Sequence, residues 1–199
     1  MFELPRGMPP DNFLAPRSIL IPVGSRMYSA EHNLVRELMR QLRSSRSPWG
    51  NVQVGREFSY QRGRVDVLAL ANKGQHLVAF EAKLVRWRDA LHQAYRNTCF
   101  AHTSFVVLPK RTAMIAEKYG AEFQIRNIGL CYVDRDNVVV VHAPKAQVPL
   151  EPWLFEQAAD MVRNRYGLAR SRASSSKDLP RTSHAVRETR RRGHVQADV

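Results

Sequence analysis

The stretch HLVAFEAKLV, residues 76 to 85, carries a carboxylate and an ammonium, Glu81 and Lys83, in the middle of an apolar run. Seven of its ten residues are apolar, which is typical of a strand buried on both faces. Side chains alternate across a strand, so Glu81 and Lys83 are expected to share one face. An ion pair between them on a solvated sheet face is the simplest alternative, but the surrounding residues are too apolar for an exposed edge strand.

A second carboxylate, Asp66, lies in the preceding apolar stretch GRVDVLAL. If the polar segment between the two strands turns tightly about Lys73 and Gly74, Asp66 pairs with Glu81 across the hairpin. Like charges directly opposite each other destabilise a sheet, unless one carboxyl keeps a proton or a divalent cation lies between them. Two carboxylates and a backbone carbonyl form a hard oxygen site that suits Mg²⁺ or Mn²⁺. Lys83 next to such a site could orient a water nucleophile and stabilise the charge that develops when a phosphodiester is cleaved.

Two further residues have types that suit such a site. Glu31 precedes the apolar residues Leu34 and Leu38 at helical spacing, so its carboxylate is expected at the buried edge of the first helix, where it could reach the same cation. A first-turn acid that only favours the helix dipole would look the same. Gln93 lies at the border of the buried face of a later helix, where its amide could position a ligand or simply be exposed.

The elements that must position these residues follow from hydrophobic periodicity. Residues 1–28 are rich in Pro and Gly and are predicted to be an irregular N-terminal arm, although SILIPV could add an edge strand. Residues 29–170 form one α/β domain with a mixed central sheet flanked by helices. Residues 171–199 have few large apolar side chains and are predicted to be a disordered basic tail. The predicted helices span 30–43, 86–101, 112–119 and 152–166, and the predicted strands lie in 51–60, 63–70, 76–85, 104–109, IGLCYVD and NVVVVHAP.

Asp66, a hairpin, Glu81-Ala82-Lys83 inside an apolar strand, a helix with Gln93 and the strand SFVVLP together resemble the PD-(D/E)XK nuclease superfamily. The resemblance covers about residues 30 to 110 and implies a restriction-endonuclease-like α-βββ-α-β core. It implies that Asp66, Glu81 and the Ala82 carbonyl bind Mg²⁺, and that Lys83 assists the attacking water. Products would carry a 5′-phosphate and a 3′-hydroxyl.

The same resemblance implies that Glu31 is an auxiliary catalytic and metal-binding acid and that Gln93 is an accessory catalytic residue. Two positions depart from the pattern of the superfamily. Val65 replaces the Pro of the motif, which many members also lack. Asn97 replaces the Tyr of a Q-x-x-x-Y helix, so the roles of the processing exonucleases with that motif do not transfer.

Charge and composition agree with a nucleic-acid partner. The chain has 31 Lys and Arg against 18 Asp and Glu, a formal net charge of +13, and such an excess favours a polyanion through phosphate contacts. Arg56, Arg62 and Arg64 flank the predicted site and could contact phosphates, although they could equally be solvated surface charges. Cys99 and Cys131 have neither metal-ligand nor disulfide spacing, so we expect both in the core.

These observations predict a metal-dependent nuclease that acts on DNA, as an endonuclease, in the cytoplasm. No apolar run is long enough to span a bilayer, and no signal peptide is recognisable. Concerted cleavage of both strands of a duplex would require a homodimer. Two alternatives remain: a nucleic-acid-binding or assembly module that keeps the fold without turnover, and a basic domain that binds membrane surfaces or proteins.

Overall fold

The computed structural model describes the backbone of residues 28–175 and the side chains of residues 28–165. The predicted irregular arm and its SILIPV segment, in residues 1–27, and the tail from residue 176 onward lie outside the described residues. Helices are α1 (Glu31–Leu42), α2 (Trp87–Asn97), α3 (Lys110–Glu117), α4 (Gly120–Ile125) and α5 (Pro152–Ser175). Strands are β1 (Gln53–Tyr60), β2 (Gly63–Ala71), β3 (His76–Ala82), β4 (Thr103–Leu108), β5 (Gly129–Val133) and β6 (Val138–His142).

The six strands form one mixed sheet in the order of the sequence, β1-β2-β3-β4-β5-β6. The first three strands are an antiparallel meander. Helix α2 crosses over from β3 to the parallel β4, and α3 and α4 cross over from β4 to the parallel β5, before β6 returns antiparallel. The predicted mixed sheet flanked by helices is therefore confirmed.

Helices cover both faces of this sheet. Helix α1 packs its buried residues Leu34, Leu38 and Leu42 on one face, against alternate residues of the strands. On the other face, α5 covers the β1-β2-β3 half, while α2, α3 and α4 cover the half formed by β4 and β5. Buried Leu, Val and Phe side chains of this kind each stabilise the fold by about 1.5–3 kcal/mol. The molecule is an α/β sandwich with a six-stranded mixed sheet between helices.

Strand β1 changes face in its middle. Val54 contributes to the cluster under α1, whereas Phe58 contributes to the cluster under α5, although an even spacing predicts a common face. Between them Glu57 has φ of 57°, in the left-handed region that non-glycine residues rarely adopt. Val52 lies with Val54 under α1, so the regular alternation of a strand is broken between Val54 and Phe58. The opposite strand makes the same change, because Val67 packs under α1 and Val65 packs under α5.

The structure corrects two predicted helices. Helix α3 begins at Lys110, not at Thr112, whose hydroxyl instead donates to the Leu84 carbonyl at 2.8 Å. Gly120, which was predicted to follow the end of this helix, begins the unpredicted helix α4. Helix α5 begins at Pro152 as predicted but continues beyond Gly167 to Ser175. Residues 171–175 are therefore helical and do not belong to a disordered tail. Helix α5 can continue through Gly167 because one glycine inside a helix costs only about 1 kcal/mol.

Both cysteines lie in the core as predicted, and both are free thiols. Burial raises the pKa of the Cys131 thiol, so it stays protonated and inert. Among the described residues, no helix combines the length and the apolar character that crossing a bilayer requires.

Candidate active site

The hydrogen-bonded ladder between strands β2 and β3 ends just before Asp66. There the carboxylate of Asp66, instead of a backbone carbonyl, accepts a hydrogen bond from β3. The pairing runs from Ala71 opposite His76 to Val67 opposite Phe80, which is the register predicted from a tight turn. The turn itself is a 3₁₀ segment, Asn72–Gly74. One residue further along, the Ala82 amide donates to Asp66 Oδ2 at 2.9 Å. Asp66 is thus hydrogen-bonded to the backbone of Ala82, the residue that follows Glu81.

Glu81 is almost completely enclosed, with 2% of its surface exposed. Its Oε1 accepts a hydrogen bond of 2.7 Å from Asn97 Nδ2, at the last residue of α2. Asn97 Oδ1 in turn accepts from the Tyr60 hydroxyl at 2.8 Å. A chain of two hydrogen bonds therefore connects the end of β1 to Glu81, and the carboxylate does not pair with Lys83. The alternative of a solvated Glu81–Lys83 ion pair is ruled out.

The two acids share an electrostatic conflict. Burial, and then the negative charge of Asp66, raises the pKa of Glu81 to about 8, although the Asn97 hydrogen bond and Lys83 act in the opposite direction. Burial also raises the pKa of Asp66, against the effects of the Ala82 amide and Lys83. Two carboxylates in one poorly solvated place cannot both ionise cheaply. A proton or a cation there would relieve this conflict.

Lys83 lies just past the end of β3, and its side chain leads toward a different helix from that of Glu81. Its Nζ is 3.0 Å from Glu31 Oε2, at the first residue of α1. The expectation that Glu81 and Lys83 are simple neighbours on one strand face is wrong, because the strand ends between them. Lys83 nevertheless lowers the pKa of both buried carboxyls, so its ammonium acts on the same small volume.

The donor set of Asp66 and Glu81 fits a hard divalent cation. Within residues 28–165, no hydrogen bond reaches Asp66 Oδ1 or Glu81 Oε2, so each acid keeps one oxygen available. No group of three or more His, Cys, Asp and Glu side chains that could hold a metal is found in this range. Glu31 is engaged by Lys83, and the other ligands would have to be a backbone carbonyl, such as that of Ala82, and water.

Of the two predicted helix residues in this region, Glu31 lies near the acids and Gln93 is less involved. Glu31 raises the pKa of Asp66 through its charge. Gln93 is half-buried on α2, and its side chain makes no hydrogen bond within the described residues. Asn97, one turn further along the same helix, contacts Glu81 instead. The helical spacing of the sequence could have indicated this contact, since Asn97 lies three residues after the buried Ala94.

A cleft of about 520 Å³ opens onto Asp66 between α1 and the β1-β2 hairpin. Arg56 and Arg64, two of the three predicted phosphate ligands, line it together with Glu31. Arg62 does not line the cleft. It lies in the turn between β1 and β2, and its guanidinium is 3.9 Å from the Glu151 carboxylate.

Comparisons with known proteins leave the activity open. No protein-family profile matches the chain, and no curated protein matches it. One solved structure, the SPO1766 protein of unknown function from Silicibacter pomeroyi, is similar, with 23% sequence identity and a TM-score of 0.48. That similarity covers 78% of this chain and 94% of the other.

Proposed function

We propose that this protein is a metal-dependent nuclease of the PD-(D/E)XK superfamily with a restriction-endonuclease-like core, acting on DNA as an endonuclease. The observation that carries the proposal is the buried Glu81 beside the half-buried Asp66, whose charges conflict unless a cation or a proton lies between them. Burying a carboxylate such as Glu81 beside a second acid costs stability, which favours a functional role over a purely structural one. The basic character of the chain, with a net charge of +13, favours a polyanionic substrate.

Each site residue has a role that follows from its position. Asp66 Oδ1 and Glu81 Oε2 are the available oxygens for Mg²⁺ or Mn²⁺, with the Ala82 carbonyl as the backbone ligand. When bound, the cation would polarise a phosphoryl oxygen and lower the pKa of a coordinated water. Asn97 fixes the orientation of the Glu81 carboxylate through Nδ2, and Tyr60 fixes Asn97.

Lys83 supplies ammonium donors to a developing phosphate charge. Glu31 holds that ammonium near the acids through Oε2, at 3.0 Å from Nζ, and its Oε1 would be the oxygen for a second cation or a water. Gln93 remains a candidate for contact with substrate from α2. Arg56, Arg62 and Arg64 are candidate phosphate ligands, the first and the last from the cleft.

A nucleic-acid-binding module without turnover is the second candidate. It would use the same basic residues but would gain nothing from the two buried acids. A basic domain that binds membrane surfaces or proteins would need neither the acids nor the cleft beside them.

A nicking assay on supercoiled plasmid with Mg²⁺, Mn²⁺ or EDTA tests the proposal. We expect metal-dependent nicking by the wild type and its loss in Lys83→Ala and Asp66→Asn. Asp66→Asn keeps an oxygen for the Ala82 amide, so lost cleavage cannot be attributed to a broken backbone contact. Lys118 is an exposed lysine that directly follows α3, so Lys118→Ala removes the same charge as Lys83→Ala, and this variant should cleave normally.

The outcomes separate the candidates. Cleavage that survives both site substitutions would reject the site assignment. Binding in a gel shift without cleavage under any metal would favour the non-catalytic module. Equal, metal-independent affinity for heparin, acidic lipid vesicles and DNA would favour the general basic domain.

A further inference from the structure

The cleft beside Asp66 has two basic walls. Arg36 and Arg43 lie on the α1 wall, and Arg56 and Arg64 lie on the β1-β2 wall. All four side chains are exposed. The α1 residues were not among the predicted phosphate ligands, and they extend the basic surface to the helix that also carries Glu31.

Three of these arginines form no ion pair within residues 28–165, although the charge of Arg64 acts on Asp66 and lowers its pKa. Arg56 is 3.4 Å from Glu57, so its charge is partly offset. Arg36 donates only to the neutral Asn33 side chain, at 2.6 Å. Arg43 and Arg64 form no ion pair with a described residue. Unpaired guanidinium groups on facing walls are complementary to the phosphates of a backbone that lies between them.

The size of the cleft limits what can enter it. Its volume of about 520 Å³ is that of a pocket for a small ligand, typically about 300–1,000 Å³, which leaves room for a few nucleotides of one strand and not for a duplex. A duplex could lie over the opening but could not occupy the cleft. One strand of a nucleic acid could.

The lining of the cleft also suits exposed bases. The half-buried side chains of Val35 and Met39 and the exposed ring of His32 lie between the basic walls. A base-paired strand hides the faces of its bases, whereas a single strand presents them to apolar, histidine and guanidinium surfaces. We infer that this cleft binds a single strand of nucleic acid and leads it to Asp66. The inference rests on the proposed function in that nucleic acid is the ligand, and it narrows the substrate to one with an unpaired segment.

The test measures binding by the full chain in EDTA, so that no cleavage is needed. One probe is a fluorescent oligothymidylate of about 20 nucleotides, which is longer than the ~4–16 nucleotides that one OB fold of a single-strand-binding protein covers. The other probe is a blunt duplex of equal length. Affinity is measured by anisotropy across a range of salt concentrations. The variants are Arg36→Ala, Arg43→Ala and their combination, with Arg111→Ala on α3, across the sheet from α1, as the charge-matched control.

Each contact with a phosphate of a single strand contributes about 0.7 to the slope of log K against log salt. We expect each single substitution to reduce the slope for oligothymidylate by about 0.7, and the double substitution to reduce it by about 1.4. The slope for the blunt duplex, and both slopes of Arg111→Ala, should match the wild type. Thermal unfolding of each variant checks that the fold is intact.

Unchanged oligothymidylate slopes in folded Arg36→Ala and Arg43→Ala variants would overturn the inference. Equal losses on the duplex would overturn it too, because the arginines would then contact paired DNA. Failure of the nuclease proposal is distinguishable: plasmid nicking would be absent while the reduced single-strand slopes persisted.

Discussion

Glu81 should make the metal-free protein less stable as the pH rises. Burial and the charge of Asp66 raise the pKa of this carboxyl from 4.5 to about 8 in the folded chain. Below pH 4.5 the Glu81 carboxyl is protonated in both the folded and the unfolded chain, so it does not lower the free energy of unfolding. Between the two values the unfolded chain releases the proton while the folded chain keeps it, so stability falls, and above about pH 8 the loss is complete.

The expected loss is large compared with the stability of an ordinary domain. At about 1.4 kcal/mol for each unit of pKa difference, the full effect is on the order of 5 kcal/mol. Domains of this size are typically stable by about 5–15 kcal/mol. Asp66, whose pKa is also raised by burial, adds a contribution of the same sign.

Urea unfolding in EDTA at about pH 5 and about pH 9 measures this loss, with Glu81→Gln as the reference. The Gln side chain still accepts from Asn97 but cannot ionise. Burial lowers the pKa values of His76, to about 4, and of His102, so both favour the folded state as the pH rises, and the comparison with Glu81→Gln cancels them. Parallel pH profiles of wild type and Glu81→Gln would refute the reasoning. Added Mg²⁺ should stabilise the wild type at the higher pH and leave the variant unchanged.

Three other substitutions follow from the same contacts. Asn97→Leu removes the donor that lowers the pKa of Glu81 and the acceptor of the Tyr60 hydroxyl. Urea unfolding should show a loss of about 1–3 kcal/mol, and because the folded-state pKa of Glu81 rises further, the fall in metal-free stability should continue to a higher pH. Tyr60→Phe removes only the outer hydrogen bond, so the same measurement should show about 1 kcal/mol and a pH profile close to that of the wild type. Gly129→Ala places a Cβ inside the Phe105 ring in the centre of the sheet, and calorimetry should show a lower melting temperature, from a cost of roughly 1–3 kcal/mol or more; an unchanged melting temperature would mean that β4 and β5 can move apart.

The register of β2 and β3 could be predicted because it depends on local rules, but the predicted pairing of Asp66 with Glu81 is wrong, since the ladder ends at Val67 and Asp66 accepts from the Ala82 amide instead. A short polar turn fixes the pairing of two strands, and a shift of one residue would have placed the acids on opposite faces. The crossover to β4 was equally predictable, since a helix between two apolar strands leads to parallel pairing. These features need only periodicity and turn length.

Other features depend on neighbours that are distant in sequence. Glu57 adopts a left-handed backbone that no residue preference indicates, and the burial of Phe58 and Val65 under α5 compensates for it. Gly120 and Gly167 both look like helix ends, yet one begins α4 and the other lies within α5. In the sequence, Asn97 is notable only because it replaces the Tyr of a Q-x-x-x-Y motif. The packing of α2 on β3 is what places its amide at Glu81.

The change of face in the β1-β2 hairpin makes the candidate site dependent on the C-terminal helix. Val65, which precedes Asp66, and its pairing partner Phe58 lie in one buried cluster with Leu154, Ala158 and Val162 of α5. Removal of that helix would expose the tip of the hairpin and release the strand segment that carries the acid. A shortened chain that ends before Pro152 would therefore lose the geometry of the candidate site, although α5 contributes no ligand to it.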